Sequence, residues 1–171
     1  MLNHACAFTG HRPTRFSFGY NEDDQRCLAL KEQLAEIIEQ LVNNGVCSFY
    51  SGMALGVDQW AAQAVLSLKT KYPHVRLIAV LPCESQANNW AGRQQDIYQN
   101  LLNKCDEIQV IGKYYTSHCM FQRNRRMVDQ ADHLIAVYDG HQGGGTAYTV
   151  NYAQKKGRQI ILVNSPFLLS S

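Results

Sequence analysis

Ser51-Gly52-Met53-Ala54-Leu55-Gly56-Val57-Asp58 reads as the turn of a strand–turn–helix unit. It follows a short apolar run, Val46 to Tyr50, and opens an apolar-periodic stretch that begins at Val57. Small residues and glycines at such a junction let backbone come close to a ligand. They also leave the first amide N–H groups of the helix free to meet an anion. The same residues would equally make a tight turn that holds nothing. A second run, Gly143-Gly144-Gly145-Thr146, stands in an equivalent context near the C-terminus. Two such turns in one chain point to a ligand that carries phosphate.

Outward from these turns, apolar runs of strand length alternate with helical periodicity. The pattern predicts strands near Ala5–Thr9, Cys47–Tyr50, Arg76–Leu81, Glu107–Ile111, His133–Tyr138 and Gln159–Val163. Helices are predicted near Asp24–Asn43, Val57–Lys69, Asn89–Asn103, Met120–Gln130 and Ala147–Lys156. In the first of these, Leu30, Leu34, Ile37, Ile38, Leu41 and Val42 recur at helical spacing before Asn44-Gly45 supplies a stop. Such alternation predicts an α/β fold, a Rossmann-like three-layer αβα sandwich around a mostly parallel sheet of about six strands. Right-handed crossovers would put the turn after every strand on one edge, where ligands bind at the reversal of strand order. No repeat, low-complexity tract or linker interrupts the pattern, so one domain is expected over residues 1–171.

Composition narrows the function classes. A chain of 171 residues, 46% hydrophobic and 18% charged, suits a globular protein and not a disordered one. A formal charge of +2 is too small to demand a nucleic-acid partner. Neither a leader nor an apolar run of about 20 residues is visible, so the expectation is a cytoplasmic protein without a membrane partner. The six cysteines include no C-x-x-C pair and read as free thiols or small buried hydrophobes. His118-Cys119, the one adjacent His–Cys pair, does not by itself make a metal site, and no metal is expected.

Four segments carry candidate chemistry. In Thr9-Gly10-His11-Arg12-Pro13, Gly10 permits close approach and Arg12 offers a planar fork for phosphate. His11 could act as a base, but no orienting partner is visible in the sequence. Ser51, Gly52 and Gly56 would admit the ligand in the first glycine turn. Asp58 would either favour the positive helix end or accept hydrogen bonds from a ribose or base; Trp60 is core or a stacking platform. On the predicted helix, Arg123 shares a stripe with Met120, Met127 and Ala131, where a guanidinium is costly without an anionic neighbour. That neighbour would be Asp58, Asp139 or a bound phosphate; Arg125 and Arg126 point to solvent. Finally, Gly143, Gly144 and Gly145 can form an anion nest, with Thr146 as a cap or a phosphate ligand. This run matches neither a P-loop nor G-x-G-x-x-G, which disfavours ATP hydrolysis and dinucleotide redox chemistry.

Taken in order, the segments 9–13, 51–58, the Trp90 region, 120–127 and 143–153 resemble the YpsA-type branch of the SLOG superfamily. That superfamily also holds the DNA-processing protein DprA and the "lonely guy" cytokinin-activating enzymes. The 51–58 segment is similar to the SG-x-A-x-G-[IV]-D signature of DprA. The resemblance implies a nucleotide or ADP-ribose-like ligand at the strand ends, a sensor role, no separate cofactor, and a homodimer. It offers an alternative, a nucleoside-phosphate N-glycosidase, with Arg123 and Asp58 as the catalytic candidates. The enzyme motifs resemble M-x-E-R-K-x-x-M and P-G-G-x-G-T-x-x-E. Here Met120, Arg123 and Met127 match the first, but Gln122 and Asn124 replace its Glu and Lys. Thr149 replaces the Glu of the second. Glycosidic cleavage needs a carboxylate, which Glu84, Asp58 or Asp139 could restore. Single-stranded DNA binding in the manner of DprA is the least expected alternative.

Overall fold

The computed structural model describes residues 4–164; residues 1–3 and 165–171, the ends of the expected domain, lie outside them. Twelve elements follow one another: β1 (Ala5–Gly10), a short 3₁₀ turn (Pro13–Arg15), α1 (Gln25–Asn43), β2 (Ser48–Ser51), α2 (Val57–Leu68), β3 (Arg76–Cys83), α3 (Gly92–Asn103), β4 (Glu107–Gly112), α4 (Cys119–Asp129), β5 (His133–Val137), α5 (Gly144–Lys155) and β6 (Gln159–Val163). The strands form one sheet in the order β4-β3-β2-β1-β5-β6, and every pairing is parallel.

This order explains both the layers and the site. From β1 the chain winds outward to β4, then α4 carries it back across the sheet to β5 on the other side of β1. With right-handed crossovers, that return puts the helices before it on one face and those from α4 onward on the other. Accordingly α1, α2 and α3 contribute Leu34, Ile38, Val65 and Leu101 to one core, while α4 and α5 contribute Met127, Val128, Val150 and Ala153 to the other. Covered on both sides, β1 is buried along Ala5–Thr9 and reads as a continuous apolar run. Phe8 and Phe49 stack at 5.9 Å between centroids, and burying each ring contributes about 2 kcal/mol. The outer strand β4 is half bare, with Ile108 46% exposed.

Local chemistry sets the boundaries. Asp24 caps α1 by accepting a 2.9 Å bond from the Arg26 amide, and Gly45 at φ +97° ends that helix. Gln94 Oε1 accepts from the Ala91 amide at 3.1 Å, so α3 starts at Gly92, later than expected, because residues 84–89 close in turns. The last helix begins at Gly144, earlier than expected. Glycine's low propensity hides a first turn, yet the entry to α5 needs positive φ at Gly143 (+111°) and Gly144 (+83°). Among the described residues no helix is long and apolar enough to cross a membrane.

Candidate functional site

The turn between β2 and α2 is packed solid. Ser51 Oγ donates to the Asp58 carbonyl at 2.8 Å and accepts from the Met53 amide at 3.2 Å. Gln59 Nε2 donates to the Met53 carbonyl at 3.1 Å, which helps hold buried Met53 in the left-handed region at φ +57°. At Gly52 there is no room for a side chain. A Cβ there would lie 2.2 Å from Arg123 Nη1 and 2.8 Å from Asp58 Oδ2. A Cβ on Gly10 would lie 2.6 Å from Val57, so this glycine sets the spacing between β1 and the start of α2.

Arg123 fills the space that Gly52 leaves. It is only 4% exposed. Nη1 donates to the Gly52 carbonyl at 2.7 Å, Nε to Asn124 Oδ1 at 2.7 Å, and Nη2 contacts Met120 Sδ at 3.5 Å. Asp58 is 7% exposed and accepts from the Ala54 amide at 3.3 Å. Burial pushes the Asp58 carboxyl above its ordinary range, and the nearby charges of Arg123 and Arg12 pull it back. Burial likewise lowers the Arg123 guanidinium, opposed by Asp58. The two act on each other through their field, with no direct ion pair between them among the described residues. Of the two acidic neighbours foreseen for Arg123, Asp58 is the one present. Asp139 is engaged elsewhere, with Arg15 Nη2 at 3.1 Å and His11 Nε2 at 3.5 Å.

Above this buried couple opens a cleft of about 560 Å³ at the carboxyl ends of β1 and β5, where the strand order reverses. Small-molecule sites commonly span about 300–1,000 Å³. One wall is the end of β1 with His11, Arg12, Thr14 and Arg15; another is Ala54 and Asp58. Met120, Arg123 and Asn124 line it from α4, and Gly143 through Thr146 from α5. The first turn of α5 is open. Gly143 supplies no side-chain cap and no acidic residue follows in that turn. A Cβ on Gly143 or Gly144 would meet nothing within 4 Å. Uncapped amides and the positive helix end thus face a wall that holds Arg12 and Arg15.

Of the residues singled out in the sequence, Gly10, Arg12, Asp58, Arg123, Gly143, Gly144, Gly145 and Thr146 share this cleft. Ser51, Gly52 and Gly56 do not reach its wall; they seat the residues that do. Gly56, at φ +95°, packs beneath His11 and Pro13. Trp60 stacks in the core with Phe16 and Phe18. Gln122 lies in a separate shallow groove with Glu107 and Arg126. Thr149 is buried and donates back to the Gly145 carbonyl at 2.8 Å. Glu84 is exposed and Asp139 is not on the cleft wall, which leaves Asp58 as the carboxylate lining it among the described residues. Asn124, Thr14, Arg15 and His141 were not foreseen; Arg15, two residues beyond Pro13 in a cationic turn, carried the only usable signal. No group of three or more His, Cys, Asp or Glu is placed to hold a metal among the described residues.

Residues 6–164 match a family model, YpsA, described as "YspA SLOG family". The chain belongs to that SLOG family. This SLOG protein is 36% identical over 141 residues to the uncharacterized SPbeta prophage-derived protein YoqJ of Bacillus subtilis (strain 168), across 75% of this chain and 82% of that one. It is 31% identical over 168 residues to a UPF0398 protein of Bacillus cereus (strain G9842), across 96% and 90%. In fold it is similar to DNA processing protein A from Helicobacter pylori, described for its single-stranded DNA binding mode, with TM-score 0.57 and 20% identity. DprA from Streptococcus pneumoniae gives TM-score 0.57 at 18% identity. Each match covers 92% of this chain, but only 64% and 49% of those chains. At such identities the likeness concerns the fold.

Proposed function

We propose that this SLOG protein binds a nucleotide or nucleotide derivative of ADP-ribose type and serves as a sensor of it. One observation carries the reading: the uncapped first turn of α5 and the Arg12–Arg15 segment face each other across the cleft at the strand-order reversal. Amide donors at a helix N-terminus and guanidinium forks both hold phosphate oxygens. Asp58, beside them, is suited to accept from ribose hydroxyls.

A second reading rests on Asp58 alone. A carboxyl lifted by burial and set in a nucleotide-sized cleft is what an N-glycosidase would use to handle a proton. With positions 122 and 149 off the cleft wall, any such chemistry would fall to Asp58.

The test is native mass spectrometry of freshly purified protein, followed by thermal shift with ADP-ribose, NAD, AMP, cyclic nucleotides and a single-stranded oligonucleotide. The reading expects a ligand at one hundred times its Kd to stabilise by about 2.7 kcal/mol, a shift of several degrees. Arg12→Ala should weaken it about tenfold or more, a charge-assisted bond contributing roughly 1.5–3 kcal/mol. Free base released during incubation would favour the second reading. A shift with the oligonucleotide alone would contradict both.

A further inference from the structure

His11 has an acidic neighbour that its own segment does not hint at. The parallel register of β1 and β5 pairs Gly10 with Val137, which sets His11 beside Tyr138 and brings Asp139 into reach. His11 lines the cleft. Its Nε2 is buried 3.5 Å from Asp139 Oδ1, close enough to feel that charge but without a hydrogen bond to it. Asp139 is itself fixed: Oδ1 accepts from the His141 amide at 2.9 Å and Oδ2 from Arg15 Nη2 at 3.1 Å.

The charges in this cluster can be counted. With His11 neutral, Arg15 and Asp139 cancel and the cluster presents no net charge to the cleft. With His11 protonated it presents one positive charge, directly where the Arg12 side chain and the α5 amides face the same space. The groups around the ring come from each neighbouring element: Arg12 and Arg15 from its own turn, and Tyr138, Asp139 and His141 from the end of β5 and the loop beyond. The backbone of Gly56 packs against the His11 carbonyl. Burial holds the imidazole below its ordinary value, Asp139 acting against it and Arg15 and His141 in the same sense. An entering anion offsets the repulsion from Arg15 and favours the charged ring.

We propose that His11, backed by Asp139, is the proton-linked element of the anion site, so that the protein takes a proton from solvent onto this imidazole as a diphosphate-bearing ligand enters. The inference rests on the nucleotide reading and adds to it a partner in recognition and a direction with pH. Linkage fixes the sign: a group whose pKa is higher in the complex makes affinity rise as pH falls between the bound and free values. Each unit of that rise is tenfold in affinity at the acid end.

ADP-ribose is the suitable probe, because its diphosphate diester does not titrate near neutrality. Calorimetric titration at pH 7 in PIPES, HEPES and Tris reports the protons taken up per ligand bound. The expected result is an uptake of about half a proton for the wild type, an affinity that falls roughly tenfold from pH 6 to pH 8, and neither in His11→Gln. On the wild-type protein, the His11 ring C–H resonance followed by NMR should titrate at higher pH when ADP-ribose is bound, a readout independent of how the variant folds. ADP-ribose binding without proton uptake, an unmoved His11 midpoint, or the same uptake in His11→Gln would overturn the inference and leave the nucleotide reading standing. Failure of ADP-ribose to bind at any pH would overturn both.

Discussion

At Gly52 a single added methyl would sit 2.2 Å from Nη1 of Arg123, whereas at Gly143 and Gly144 it would meet nothing within 4 Å. The two glycine turns look alike in sequence: each follows a strand, opens a helix and is rich in small residues. In the fold they do opposite work. The first is interior structure, its glycine taken up by a buried guanidinium whose hydrogen bond ends on the glycine's own carbonyl. The second is surface, its glycines exposed and its helix end unfilled. Glycine therefore marks close approach without saying what approaches. In one turn it is the protein's own arginine, and in the other there is room for something from outside.

Substitutions at the glycines test this contrast. The largest effect is expected at Gly52→Ala. The Arg123 guanidinium would have to leave its carbonyl partner inside a dry site, so urea unfolding should show a loss on the order of 3 kcal/mol. A loss under about 0.5 kcal/mol would mean that the first turn is not the rigid element described here. Next comes Gly10→Ala, where the new methyl meets the branched Val57 at 2.6 Å. Overpacking of this kind costs about 1–3 kcal/mol, read as a fall in Tm of several degrees. The smallest change in stability is expected at Gly145→Ala, whose Cβ would find only Asn124 Nδ2, at 3.9 Å. There Tm should hold or rise by a degree or two, since alanine is the better helix former and the added methyl meets no close contact. Nucleotide affinity should nonetheless fall about tenfold, because the methyl stands where the phosphate would approach; unchanged affinity would remove the second turn from the site.

Much of the architecture was legible because it is written in periodicity. Buried central strands such as β1 and β5 are unbroken apolar runs, and α1 repeats its apolar positions at helical spacing between an Asp cap and an Asn-Gly stop. The site was legible only in outline. Arg123 announced itself as a cation on an apolar stripe, and the structure gives it Gly52, Asn124 and Asp58 as neighbours. What stayed hidden depends on contacts between distant segments. The order β4-β3-β2-β1-β5-β6 leaves no local trace, so neither the pairing of His11 with Asp139 nor the demand of Val57 on Gly10 could be read in advance. The start of α5 was hidden for another reason: three glycines argue against a helix by propensity, and tertiary context overrides them.

On this proposal the ligand meets the glycine amides of the second turn, not those of the first. Titrating ADP-ribose into ¹⁵N-labelled protein and following backbone amides tests it most directly. The Gly144, Gly145 and Thr146 amides should move most, while those of Gly52 and Gly56 move far less. Saturable binding that leaves residues 143–146 unmoved and shifts the shallow groove around Gln122 and Arg126 instead would contradict it.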